Sequence, residues 1–113
     1  MVRGGAVVLP ASDLGRAVRF YVETLGMKLV EERTGEATID AGEGFHIELR
    51  AANGATIAPG AAAIVFYPKV PIEDAIAVYE NRGVTFDVER SESTVVAHFR
   101  DPDGHSLALV ASR

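Results

Sequence analysis

A chain of 113 residues has the length of one domain, and its 48% hydrophobic content is enough for a packed interior and too much for disorder. Eleven basic residues against 16 acidic ones give a formal net charge of −5. With no basic stripe, nucleic acid is excluded as an expected partner, and cationic ligands are weakly favoured. Cysteine is absent, which excludes disulfides, thiolate metal sites and a cysteine nucleophile. The longest apolar run, near Ala61–Tyr67, is far short of the ~20 residues of a membrane span. The opening Met1-Val2-Arg3-Gly4-Gly5 has no secretory h-region, so a cytoplasmic location without membrane attachment is expected.

Val7-Val8-Leu9 reads as a first strand stopped by Pro10, and Ser12 or Asp13 can cap the helix that follows. Leu14, Ala17, Val18, Tyr21 and Leu25 form one apolar face of that helix, which Gly26 ends. Met27–Glu32, Ala37–Ala41 and Phe45–Ala51 are three short strands separated by glycines. Ala52 through Gly60 reads as a connection. The order then repeats. Ala62–Tyr67 is a strand, Pro71 suits the first turn of a helix, and Ile72, Ala75, Ile76 and Tyr79 form that helix's apolar face before Gly83. Val84–Val88, Thr94–Phe99 and Ser106–Val110 complete a second set of three strands, the last two joined by the turn Asp101-Pro102-Asp103-Gly104.

The repeat is visible in the residues themselves, because Ala17-Val18-Arg19-Phe20-Tyr21 recurs half a chain later as Ala75-Ile76-Ala77-Val78-Tyr79. The expectation is an α+β domain over residues 1–113. It is built from two βαβββ modules, about 4–52 and 61–112, which form a cupped, barrel-like mixed sheet with helices on the outer face. A fold of like halves is expected to hold its cavity where the halves meet.

Two βαβββ units, Ser12-Asp13-Leu14 with Phe20-Tyr21 and Leu25-Gly26-Met27, and a late Asp-Pro-Asp-Gly hairpin resemble the vicinal oxygen chelate superfamily. That group includes glyoxalase I, extradiol dioxygenases, fosfomycin-resistance enzymes and bleomycin-resistance proteins. The resemblance covers almost the whole chain and implies a fold rather than one activity. In metal-dependent members four strand positions hold a divalent ion. The resemblance carries these onto Ala6, Glu48, Ile64 (Ala63 if the register slips) and Ala108. Three of the four lack a lone-pair donor, whereas a metal site needs several O or N ligands. No metal or other cofactor is therefore expected. The alternative is a relocated divalent site at His46, Glu48 and His98, since alternation puts His46 on the face of Glu48 and leaves Phe99 to the core.

The expected function is metal-independent binding or sequestration of a small molecule, lined by His46, Glu48, Ile64, Phe66, His98 and Ala108, with Glu48 as the polar anchor. An enzyme of the same superfamily, of lyase, dioxygenase or isomerase type, is the alternative. It would use the relocated metal or acid–base chemistry, with Glu48 and His98 as the catalytic candidates. A vestigial cavity in a domain that serves dimerisation is the third class. Sheet edges and an apolar rim make a homodimer the expected assembly. Tyr21 and Tyr79 are read as core residues, and His105, beside the turn, as solvated.

Overall fold

The computed structural model describes residues 1–2 and 4–113, and these form two units, Met1–Ala58 and Pro59–Arg113. In the first, β1 (Ala6–Ala11), β2 (Lys28–Arg33), β3 (Glu36–Gly42) and β4 (Phe45–Ala51) make one sheet in the order β1-β4-β3-β2. In the second, β5 (Ala63–Phe66), β6 (Asp87–Arg90), β7 (Thr94–Arg100) and β8 (Ser106–Ser112) repeat that order as β5-β8-β7-β6. β1/β4 and β5/β8 pair in parallel, and the other neighbours are antiparallel. The fold is thus mixed α+β, two four-stranded sheets each with its own helix, and the βαβββ order is that expected.

In module one, helix α1 (Leu14–Arg19) packs on β3 and β4. Asp13 caps it, its Oδ1 accepting the Arg16 N–H at 3.1 Å, which satisfies one of the free donors of the first turn. The expected single α-helix in fact widens at Phe20–Thr24 into π-helical turns, with Leu25 N–H donating to the Phe20 carbonyl at 3.0 Å. The buried residues explain this. Ala17, Tyr21 and Leu25 are all buried and are spaced by four. A wider turn keeps such a row on the sheet better than the 3.6 period does. Beneath the helix lie Leu9, Ala37, Ile39, Ile47 and Leu49. Each Ile or Leu so buried contributes about 1.5–3 kcal/mol.

Module two builds the same layer from Ile72, Ala75 and Ile76 of α2 (Ile72–Asn81), packed on β8, over Val95, Ala97, Phe99, Leu107 and Leu109. Pro71 takes the capping position just before the helix rather than a place in its first turn, with φ −52° and ψ 134°.

Other boundaries move for stated reasons. Pro10 does not stop β1 but lies within it opposite Arg50; an edge strand tolerates its missing donor. β6 begins at Asp87 rather than Val84, because the Val84 N–H is already committed to the Tyr79 carbonyl at 3.0 Å, closing the helix. β5 is shorter than expected and β8 runs on to Ser112, paired with Thr94.

Candidate functional sites on the helix-free sheet faces

Strand alternation assigns every side chain of module one to a face. Ile47 and Leu49 are buried under the helix, so His46, Glu48 and Arg50 stand on the other face of β4. Cross-strand pairing extends these into three rows. They are Val8–Glu48–Thr38–Glu31, Ala6–His46–Asp40–Lys28, and Pro10–Arg50–Glu36–Arg33. Bases and acids stand side by side on this face, and its two guanidiniums pair with neighbouring carboxylates. Arg50 Nη2 donates to Glu48 Oε2 at 3.1 Å, and Arg50 Nε lies 3.5 Å from Glu36 Oε2. Arg33 donates to Glu31 Oε1 at 2.8 Å. A small cleft of about 160 Å³ is lined by Glu31, Arg33, Glu36, Thr38 and Glu48. Glu48 therefore stands on the expected face, but as half of an ion pair with Arg50, a residue the sequence reading had not singled out.

The helix-free face of module two is differently furnished. Its central row is Asp87–His98–Ala108–Val65, and beside it run Arg100, Ser106 and Ala63. A groove of about 500 Å³ is lined by Thr85, Asp87, Glu89, His98, Arg100 and Ser106, with Phe86 and Phe99. The Phe86 and Phe99 rings meet edge-on at 5.2 Å. His98 Nε2 lies 3.7 Å from Glu89 Oε1, an ion pair when the imidazole is protonated. Arg100 Nη1 donates to the Gly104 carbonyl at 2.7 Å and lies 3.1 Å from Ser106 Oγ.

Two expectations fail here. Ile64 and Phe66 pair with Leu107 and Leu109, so they share the helix-side face and not the face of Ala108 and His98. Period-two alternation makes this unavoidable once the register is known. The face of Ala108 instead receives Ala63 and Val65. His105 is not solvated but buried. Its backbone N–H donates to Asp101 Oδ1 at 2.9 Å, and its carbonyl accepts the Asp101 N–H at 3.2 Å, which folds it back over the turn.

The residues carried onto the superfamily's metal positions do not fit a divalent ion. Ala6, Ala63 and Ala108 offer no donor, and Val65, the other residue of β5 on this face, offers none either. Glu48 already shares its charge with Arg50 at 3.1 Å. Among the described residues no three His, Cys, Asp or Glu side chains are grouped so as to hold a metal ion.

A match to the model of the Glyoxalase/Bleomycin resistance protein/Dioxygenase superfamily spans residues 4–109. The chain belongs to this superfamily. A virulence protein of Salmonella typhimurium strain LT2 is 26% identical over 91% of this chain and 79% of its own. Among solved structures, an antibiotic-binding protein of Streptomyces sp. CB03234, TnmS3, superposes with a TM-score of 0.83 at 24% identity, covering 100% of this chain and 98% of that one. A glyoxalase/bleomycin resistance protein of the same organism gives 0.77 at 25%, covering 96% and 100%. The superfamily unites different chemistries, so the match sets the fold and leaves the activity to the site. No helix among the described residues is long and apolar enough to cross a membrane.

Proposed function

We propose that this superfamily member binds a small molecule without a metal ion, on the helix-free faces that carry His46 and Glu48 in module one and His98 and Ala108 in module two. One observation supports this reading above the others. Three of the four positions where metal-dependent relatives would need ligands carry side chains without a donor, while ionisable side chains surround a groove of about 500 Å³ in module two. That volume lies within the range of small-molecule sites. An antibiotic-binding protein with this fold makes antibiotics a natural first compound set, and the net charge of −5 favours those that bear an amine.

The test is a thermal-shift screen of such compounds on protein whose metal content has been measured by elemental analysis. A ligand at a hundredfold its Kd should add about 2.7 kcal/mol of stability. Glu48→Gln should weaken a cationic ligand held on module one by about 1–3 kcal/mol while leaving the fold intact. Stoichiometric Ni, Zn, Fe or Mn in protein purified without added metal would overturn the metal-free part. The reading also includes a cytoplasmic homodimer. Val65, Val70 and Tyr67, the last 79% exposed, offer apolar surface for a second copy, and light scattering at micromolar concentration checks it.

A further inference from the structure

Resting on that reading, we propose that the module-two groove takes a small zwitterion, its anionic end on Arg100, its cationic end on Asp87 and a flat apolar body between them. Arg100 is held by one nitrogen only. Its Nη1 reaches the Gly104 carbonyl at 2.7 Å and Ser106 Oγ at 3.1 Å, while Nε and Nη2 have no partner among the described residues. A guanidinium fixed in this way is oriented and still presents a planar edge of donors that suits a carboxylate or phosphate.

Asp87 supplies the opposite charge. It lies directly across from His98, and Arg100 is two residues further along the same face. Asp87 and Arg100 are thus diagonal neighbours, roughly 7–8 Å apart at the backbone. Opposite charges in that relation can meet directly, and these do not. No ion pair joins them, and the Asp87 carboxylate has no protein partner among the described residues. The nearby Glu89 is the carboxylate that faces the His98 imidazole, at 3.7 Å, which leaves Asp87 for a ligand.

Both ends border one groove, and the half-buried Phe86 is part of its wall, with Phe99 behind it in the core. An aromatic body therefore has a ring to pack on, and Thr85 adds a hydroxyl beside Asp87. Module one shows the contrast, since its carboxylates and guanidiniums satisfy one another and leave a cleft of only about 160 Å³.

The probe is 4-(aminomethyl)benzoate, a rigid aromatic zwitterion, titrated by calorimetry and by NMR beside benzoate and benzylamine, which each keep one charge. We expect it to bind at least about tenfold more tightly than either, the least that one further charge-assisted hydrogen bond gives. The amides of Asp87, His98 and Arg100 should shift. Asp87→Asn should reduce its affinity to that of benzoate, and Arg100→Gln to that of benzylamine. Asp87 is exposed and bonds no neighbour, so Asp87→Asn carries the test even where Arg100→Gln loosens the turn. Equal affinity of the three probes, shifts outside the groove, or no binding at millimolar concentration would overturn the proposal. A singly charged compound that occupies the groove overturns the zwitterion and leaves small-molecule binding standing. A chain that no compound stabilises fails both.

Discussion

The two modules share a strand order and a helix-covered core, yet they treat their other face in opposite ways. Module one pairs the guanidiniums of this face with its own carboxylates. Arg50 serves both Glu48 and Glu36, and Arg33 serves Glu31. Module two leaves Asp87 and one edge of Arg100 unused beside a larger groove. Duplication of a fold therefore does not duplicate a site. The residues under the helix must remain apolar for the sheet to bury them, whereas the alternate positions are free to diverge, and here they have diverged into a self-satisfied lattice and an unsatisfied groove. The cores differ as well. Tyr21 is 0% exposed under the first sheet, while its counterpart Tyr79 is only half-buried.

That difference between the tyrosines sets the largest expected effect. Tyr21→Ala empties a fully enclosed site at the junction of α1 and its π-helical continuation, where Tyr21 also meets Phe20 edge-on at 5.3 Å. The loss should be on the order of 3–5 kcal/mol, as for other buried aromatics. Tyr79→Ala should lose roughly half as much, because solvent refills part of the space. Urea denaturation of both variants reads the comparison. Equal losses would show that the two cores are closer in packing than the exposures indicate.

Why the cores were legible in the sequence and the sites were not follows from the same alternation. Apolar periodicity marks Ala17, Tyr21, Leu25, Ile47 and Leu49 directly, and it also placed His46, Glu48 and His98 on the helix-free face. It failed at β5, where Ala63-Ile64-Val65-Phe66 is apolar throughout and carries no alternation to read. Only the pairing with β8 shows that Ile64 and Phe66 turn to the helix. Arg50 and Arg100 could have been found, since each stands two residues beyond a named candidate on the same strand. His105 could not, because the turn folds the chain back through Asp101, whose carboxylate takes the backbone N–H groups of both Asp103 and His105 at 2.9 Å.

A sharper comparison of the modules comes from their turn glycines. Gly26 ends the first helix with φ +79°, and a Cβ there would meet nothing within 4 Å. Gly104 has φ +86°, and a Cβ there would lie 3.4 Å from Pro59 Cγ. Each Gly→Ala change incurs the left-handed backbone penalty of about 1–2 kcal/mol. Gly104→Ala should fall at the upper end, since Gly104 also closes the turn that anchors Arg100. The Gly104 N–H closes the turn on the Asp101 carbonyl at 3.0 Å, so the loss should also loosen the anchor of Arg100. Thermal melting of the two variants measures the difference, and a neutral Gly104→Ala would mean that the turn does not restrain the groove.

The smallest effect concerns an ion pair that module two uses to join its helix to its edge strand. Arg90 donates from Nε to Glu73 Oε2 at 3.0 Å and from Nη2 to Glu73 Oε1 at 2.7 Å, a bidentate contact between the first turn of α2 and β6. The hydrogen bond from Arg90, more than its charge, holds the Glu73 carboxyl below its ordinary value of 4.5. A carboxylate whose folded value is lowered adds stability above its unfolded value, and that stability is lost as pH falls through the lowered one. Glu73→Gln should therefore melt slightly below the parent protein at neutral pH. The gap should narrow as pH falls below 4.5 and close below the lowered folded value, where both forms carry an uncharged side chain. The pair is half-exposed, so the gap should also shrink in molar salt. A gap that persists at low pH would assign the difference to the exchange of carboxyl for amide rather than to the charge of Glu73, and the ion pair would then not be what joins the helix to β6.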